Sequence, residues 1–474
     1  MSRSNTWENL DWITILVYLF LIVAGWFNIY SAAYVENAGS VINIDSQYGK
    51  QMIWIVFSLI LGFFVLVSDS KFFVSFSYVL YGITILLLIA VLFFGREVNA
   101  SKSWFVIGGF AFQPAELAKL GTALAVARII SSHGFNFNKY KKLLSLLLVI
   151  LLPVVLIFLQ NDAGSAIVYA VFILPFFREG MSGLILFFGV FFALIFILSI
   201  VVEPIVLLIL IIAAAMLTVL ILRRKWSDIL YALVLNGSLF LLFWLLVFLA
   251  KDSQPDSYFI LLYSSLLSSG ILLVYGFFLK LKQVIVICGI FLASVLFSLT
   301  VDYAFDNMLQ SHQQSRINHL LGVEFDPLGS GYNVNQSKIA IGSGGLMGKG
   351  FLNGTQTKYD FVPEQSTDFI FCTVGEEWGF VGTSLVVLAF VFLLIRLIII
   401  AERQRSVFSR VFGYSVASIL FFHFSINIGM TIGLAPVVGI PLPFFSYGGS
   451  SLWGFTLLIF ILLKLDTNRR EQLH

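Results

Sequence analysis

The chain is short of charge. Only 11% of its 474 residues are Asp, Glu, Lys or Arg, while 59% are hydrophobic. A soluble domain is about 45–50% apolar, so an ordinary soluble fold is excluded. Cysteine is scarce too: Cys288 and Cys372 both stand in or beside apolar segments. Two such residues make neither a disulfide framework nor a cysteine metal cluster. Common catalytic signatures are missing, with no H-E-x-x-H, G-x-S-x-G or dinucleotide fingerprint anywhere. The run Gly342-Ser343-Gly344-Gly345-Leu346-Met347-Gly348-Lys349-Gly350 fails as a phosphate loop. Ser343 holds the place of its first glycine, and Gly350 follows Lys349 where Ser or Thr is required. The polar residues 1–12 are expected to carry no cleavable signal, because the apolar run behind them is long enough to stay as a span.

What the chain has is apolar length. The mean hydropathy is +0.98, and 143–159, 205–222 and 381–400 are nearly uncharged runs of about 17–20 residues, enough for a hydrocarbon core roughly 30 Å thick. The expected fold is an all-α polytopic membrane protein with spans near 11–34, 51–68, 72–95, 114–131, 142–160, 164–178, 182–201, 205–222, 228–250, 257–279, 283–300, 368–400, 411–433 and 445–465. No region outside the spans is long enough to bury a core of its own, so 1–474 is one membrane domain. Within it, 1–181 and 368–474 flank a helix-rich middle at 182–300 and a large polar loop at 301–367.

Charge distribution orients the chain. With the N-terminus inside, basic clusters at Arg128 with Lys139, Lys141 and Lys142, at Arg223 to Lys225, at Lys280 and Lys282, at Arg403, Arg405 and Arg410, and at Lys464, Arg469 and Arg470 all fall on one side. That is the positive-inside pattern. It puts both termini in the cytoplasm and the 301–367 loop outside, where no ATP is available.

Four polar groups stand at that outer edge. Gln113-Pro114-Ala115-Glu116-Leu117-Ala118-Lys119 opens a helix, with Glu116 and Lys119 at i,i+3. Asn161-Asp162-Ala163-Gly164-Ser165 joins two spans. The long loop holds Arg316, Glu324, Asp326, Lys338 and Lys349, and residues 433–451 interrupt the last helices with Pro436, Pro441 and Pro443. Each has a structural reading: an ion pair for Glu116–Lys119, a helix cap for Asp162, a buried re-entrant turn for the prolines, solvated charges for the loop. Several ionisable groups converging at one depth favour a shared polar pocket. There a desolvated Asp326 or Glu324 can act as general base. Lys119, Arg316, Lys338 and Lys349 can hold an anion such as a phosphate, and the glycine-run amides can approach a ligand closely. A phosphate-bearing lipid substrate fits that chemistry, for either an enzyme or a transporter.

At these residues the sequence resembles the SEDS family (shape, elongation, division and sporulation), nearer its rod-shape RodA branch than its FtsW branch. The resemblance rests on the Gln113–Lys119 and Asp162–Ser165 motifs, Asp326-Pro327-Leu328-Gly329, and Gln336-Ser337-Lys338 running into the glycine run. It continues in Gly354-Thr355-Gln356, Thr367-Asp368-Phe369-Ile370-Phe371, Gly375-Glu376-Glu377, Pro436-Val437-Val438-Gly439-Ile440-Pro441-Leu442-Pro443 and Ser446-Tyr447-Gly448-Gly449-Ser450. It covers about 1–180 and 300–474.

The resemblance implies a SEDS-type bundle of about fourteen helices, ten of them the family core and about four inserted in 182–300. It implies a glycosyltransferase that polymerises lipid II on the outer face of the bacterial cytoplasmic membrane. Expected partners are a class B penicillin-binding protein, other elongation-complex membrane proteins, the nascent glycan strand and membrane lipid, with no nucleic acid. Asp326 takes the family's essential carboxylate position. Gln113, Glu116, Lys119, Asp162, Lys338, Ser343, Lys349 and Arg316 form the substrate side, and a divalent cation, Mg or Mn with unassigned ligands, assists. A lipid II flippase and a pure scaffold are the competing expectations. The chain departs from the family at Ser103, Ala111, Asn161 and Ala163, where arginine, arginine, proline and leucine are common.

Overall fold

The computed structural model describes residues 7–34, 46–98, 101–107, 110–137, 139–223, 226–249, 256–307, 314, 318, 331–359 and 361–469. It divides into two compact units: the residues up to Ser182 together with those from position 326 onward, and Gly183–Phe325. In chain order the first unit contributes helices α1 (Trp12–Ala32), α2 (Gln47–Val67), α3 (Ser70–Ser75) and α4 (Ser77–Phe94). Strands β1 (Arg96–Val98), β2 (Ser101–Ile107) and β3 (Phe110–Phe112) follow, then α5 (Pro114–Ile130), α6 (Tyr140–Leu159), α7 (Ala163–Ile167) and α8 (Ile173–Arg178). The second unit holds α9 (Gly183–Val201), α10 (Pro204–Arg223), α11 (Trp226–Leu249), α12 (Ser257–Phe278) and α13 (Lys282–Asn307). The first then resumes with α14 (Tyr332–Ser343), α15 (Thr355–Lys358), α16 (Ile370–Glu402), α17 (Val407–Thr431) and α18 (Gly449–Thr467).

Every expected span coincides with helix. Among the described residues twelve helices are long and apolar enough to cross a membrane. The other two expected spans are α5, at 17 residues, and the 163–178 segment, which a 3-10 turn at Val168–Phe172 breaks. The helical membrane fold carries one small addition. Strands β1, β2 and β3 form a three-stranded antiparallel sheet, with Arg96 opposite Trp104 and Phe105 opposite Phe112. Alternating residues around Gly108-Gly109 are the local signal for such a hairpin.

In the first unit α5 and α18 are central, buried along nearly their whole length. Lipid is as apolar as leucine, so close packing and interhelical hydrogen bonds must hold such helices together. Small residues provide the packing. A Cβ on Gly121 would meet the Thr84 hydroxyl at 2.5 Å, and one on Gly62 would meet the Phe460 ring at 2.7 Å. Tyr18 Oη and Thr456 Oγ1, 2.9 Å apart, link α1 to α18, and Lys464 Nζ donates to Leu66 O at 2.9 Å.

Charge gathers at the end opposite the start of α5. Arg403 bridges Asp11 and Asp466, Arg396 pairs with Asp11, Arg410 with Glu179 at 2.7 Å, and Arg178 with Glu402 at 2.8 Å. Burial raises the Asp11 carboxyl, but its bonds from Thr14 and the Arg396 charge outweigh that and lower it overall.

The second unit packs around Leu207, Leu208, Ile211, Leu262, Phe291 and Val295. Its helix α11 buries no residue and α9 only Ile195, as lipid-facing helices do. A cavity of about 380 Å³ lies among Leu222, Arg223, Lys280, Leu281, Lys282 and Gln283.

Candidate functional site

Four of the polar residues picked from the sequence, Gln113, Glu116, Lys119 and Asp162, meet where α5, α7, α16 and α17 approach the 433–448 segment. Gln113 is the N-cap of α5 in an extended conformation, with Pro114 in the first turn. Proline's fixed φ suits that position, and its missing N–H is one the helix would leave unpaired. Gln113 Nε2 donates to Asp162 Oδ2 at 2.7 Å and lies 3.4 Å from Ser165 Oγ. The other Asp162 oxygen accepts from the Ser165 amide at 2.9 Å and caps α7. Asn161, just before it, takes φ 58°. Asparagine tolerates that left-handed conformation, whereas proline is locked near −65°. A proline at position 161 is therefore incompatible with this junction backbone.

One turn into α5, Glu116 Oε1 and Lys119 Nζ pair at 2.8 Å. Both are almost wholly buried, at 2% and 1% exposure. Lys119 Nζ is also 2.9 Å from His423 Nε2 and 5.0 Å from the centre of the Phe455 ring. These two bonds and the ring face occupy the ammonium's three hydrogens. His423 Nδ1 lies 3.2 Å from Pro441 O. That carbonyl only accepts, so Nδ1 carries the proton and Nε2 accepts from Lys119.

The proline segment is held through backbone carbonyls, its own and those of 366–368. Asn427, one turn beyond His423 on α17, donates to Ile440 O and to Asp368 O, both at 2.8 Å. Ser446 Oγ donates to Thr367 O at 2.6 Å, and Tyr447 N donates to Ser366 O at 2.9 Å. A Cβ on Gly164 would lie 2.0 Å from Val438 O, and one on Gly25 2.7 Å from Phe445 Cα. This is irregular backbone enclosed in protein, the condition under which it survives at membrane depth.

Asp368 precedes α16, and its carboxyl oxygen approaches Gly439. Burial, and then the neighbouring Glu364 and Asp162 carboxylates, push it up to about 7. A carboxyl raised in the folded state adds stability that is complete below about pH 4 and is lost as pH rises through the folded value. Asp368→Asn does not ionise. Its melting temperature relative to the native chain is expected to rise between about pH 4 and pH 8 and then level off. A difference that stays flat across that range refutes the assignment.

The 332–359 region is built differently. The glycine run packs against α16: Cβ atoms on Gly344 and Gly348 would meet Gly375 O at 2.0 Å and Glu377 O at 2.1 Å. Lys349 N and Gly350 N donate to Glu376 O and Glu377 O at 3.0 Å, while Phe380 N and Val381 N donate back to Gly345 O and Leu346 O. These exchanges sit where Gly379, at φ 62°, breaks α16. The expectation that the run's amides approach a ligand is corrected in part: those of Lys349 and Gly350 bond protein backbone, and the missing side chains admit a helix. Lys349 Nζ reaches Glu376 Oε1 at 2.7 Å and Thr355 Oγ1 at 2.7 Å. Ser343 Oγ donates to Ala340 O at 2.8 Å. Lys338 is exposed on α14 and lies over Gly433, where a Cβ would touch its Cε at 2.3 Å.

The structure thus gathers Gln113, Asp162, Glu116 and Lys119 around the proline segment, while Ser343 and Lys349 belong to the separately packed glycine region. Asp326, Arg316 and Glu324 lie outside the described residues. Sequence reasoning passed over His423 and Asn427, two polar residues at i,i+4 inside an apolar span. Such residues are uncommon enough there to have been a signal. It gave Asp368 no role.

The family of cell cycle proteins described as FTSW_RODA_SPOVE matches residues 11–229 and 202–471. A Treponema pallidum protein named peptidoglycan glycosyltransferase RodA is 32% identical over 98% of this chain and 98% of its own. An Escherichia coli protein named peptidoglycan glycosyltransferase MrdB is 32% identical over 82% of this chain and 78% of its own. Among solved structures, a peptidoglycan synthase complex, whose study concerns the coordination of polymerization and crosslinking, aligns with a TM-score of 0.60 and 25% identity over 98% of this chain and 99% of that one. The Thermus thermophilus rod shape determining protein RodA aligns with a TM-score of 0.55 over 98% of each chain, at 22% identity, a likeness of fold. With the family match spanning nearly all its residues, this chain belongs to the FtsW/RodA/SpoVE family of cell cycle proteins.

Proposed function

We propose that the protein is a peptidoglycan glycosyltransferase that polymerises lipid II on the outer face of a bacterial cytoplasmic membrane, serving elongation and rod shape. The observation that carries this reading is the 32% identity over 98% of both chains with a relative named for that activity. In the reaction, the acceptor sugar's 4-hydroxyl oxygen attacks the anomeric carbon of the donor strand. The bond from that carbon to the pyrophosphate oxygen breaks, and undecaprenyl pyrophosphate leaves with the electron pair. Asp326 takes the hydroxyl proton as general base. One displacement from an α-linked pyrophosphate gives a β-linkage directly.

Cationic side chains favour the departing diphosphate. Lys338 is exposed and Arg316 belongs to the same polar stretch of sequence, whereas Lys119 is engaged by Glu116 and His423. Among the described residues no three carboxylate, imidazole or thiolate groups are placed to hold a cation. We retain a divalent cation, Mg or Mn, only as a companion of the substrate diphosphate. Orientation follows from charge: Arg178, Arg396, Arg403 and Arg410 lie at the end away from Gln113 and Asp162, which supports cytoplasmic termini. A class B penicillin-binding protein is the proposed partner, by analogy with the synthase complex that this fold resembles.

The test is lipid II polymerisation by the purified protein with its class B partner, the partner's transpeptidase site blocked. Glycan polymer is expected, with loss on chelation and recovery on adding Mg²⁺ or Mn²⁺. A folded, partnered protein that makes no polymer but moves lipid II between leaflets establishes the flippase instead.

A further inference from the structure

Lys119 has to hold a charge at almost no exposure, and its surroundings show how. Glu116, a turn earlier on the same helix, supplies one acceptor at 2.8 Å. The second comes from α17, through His423 Nε2 at 2.9 Å. The other face of that imidazole meets the proline segment at Pro441 O. Its ring also lies edge-on to Phe455 of α18, with centroids 4.8 Å apart. One side chain therefore touches α5, α18 and the segment that borders Asp162 and Asp368. Asn427, at i+4, grips the adjacent carbonyl of Ile440 and that of Asp368. Successive carbonyls, 440 and 441, are thus held from one face of α17. Glu116 Oε2 has no partner, so its carboxylate is under-coordinated and Lys119 leans the more on His423.

We infer that His423 is a positioning residue for the transfer reaction: it sets Lys119 and the Pro441 carbonyl in one register, and so fixes the α5 start carrying Gln113 against the segment facing Asp368. This rests on the glycosyltransferase reading for its activity readout. The role requires a neutral side chain that accepts on one side and donates on the other. Leucine matches much of the volume and does neither. Glutamine does both, through its carbonyl and its amide N–H. A merely space-filling histidine predicts no advantage for glutamine, because leucine fills an apolar core at least as well.

The experiment compares native protein, His423→Leu, His423→Gln, Lys119→Ala and the Lys119→Ala/His423→Leu double variant, each in complex with the class B partner. Three quantities are read: melting temperature, lipid II affinity and polymerisation rate. His423→Leu is expected to lower polymerisation by about 20-fold or more, as loss of a hydrogen bond to a charged group does. His423→Gln is expected within about threefold of native, at a melting temperature similar to that of His423→Leu. In the Lys119→Ala background, His423→Leu should add little, because coupled residues are not additive. Full activity in His423→Leu, a glutamine variant as impaired as leucine, or additive losses in the double variant each overturn the inference. Failure of the functional reading is distinguishable: native protein then makes no polymer, and the same ranking and non-additivity are read from lipid II affinity alone.

Discussion

Asp326→Asn is expected to abolish lipid II polymerisation, lowering the rate by about 10²–10⁴-fold, the range that a positioned general base supplies. Asparagine keeps the shape of aspartate and its capacity to accept one hydrogen bond, but it does not take up the 4-hydroxyl proton. The loss should fall on the rate, with lipid II affinity changing little, because the proton moves only as the new bond forms. Melting temperature and partner binding should match the native protein. Glu324, two residues earlier, is the internal control. Equal polymer from native protein and Asp326→Asn removes Asp326 from the chemistry, and a loss on Glu324→Gln then identifies the base. A scaffold without activity predicts that both substitutions are tolerated.

The sequence made the helices easy to read and the contacts between them hard. Fourteen apolar runs were visible because membrane spans announce themselves through composition alone, and all fourteen are helical. The pairing of Glu116 with Lys119 was visible because it is local, two residues three positions apart on one helix face. The β1–β3 sheet was missed because the Gly108-Gly109 signal was overlooked in a chain dominated by spans. Asp162 carried two readings from the sequence. The structure gives it a helix cap and a bond to Gln113 together, so the cap does not exclude a place in the pocket.

Long-range partners are where sequence reasoning ran out. His423 lies 304 positions from Lys119, and Asn427 59 positions from Asp368. No periodicity encodes such pairs, though a histidine and an asparagine at i,i+4 in an apolar helix were a legible warning. The glycine run shows the same limit. Glycine permits close backbone approach, but what approaches is decided elsewhere in the chain. Here Gly344 and Gly348 approach residues 375 to 377, which were quoted as a motif without a role.

That motif carries the second large effect. Glu376→Ala is expected to destabilise the protein by about 3–5 kcal/mol, the cost of removing one partner from a buried charge pair. The Glu376 side chain is fully buried. It accepts from Lys349 Nζ and Thr355 N at 2.7 Å, and from Gln356 N, Thr357 N and Thr357 Oγ1 at 2.9 Å. Three of those donors are the first amides of α15, which a helix start leaves without internal partners. A carboxylate there is favoured by charge as well as by bonding. Alanine orphans four of the five donors and leaves the Lys349 ammonium with Thr355 Oγ1 but without its carboxylate. Glu376→Gln keeps one acceptor but points an amide N–H at donors, so it should fall between alanine and native. The adjacent Glu377 makes the contrast. It accepts from Ser31 Oγ and from Leu352 N at 3.1 Å, and its second oxygen has no partner. Glu377→Gln should therefore cost less than about 1 kcal/mol, since it removes a buried carboxyl that has no ion-pair partner among the described residues. Thermal unfolding in detergent, with proteolysis of the 349–358 segment as a local probe, reads both. Equal melting temperatures for Glu376→Gln and Glu377→Gln would show that the α15 amides do not depend on this carboxylate.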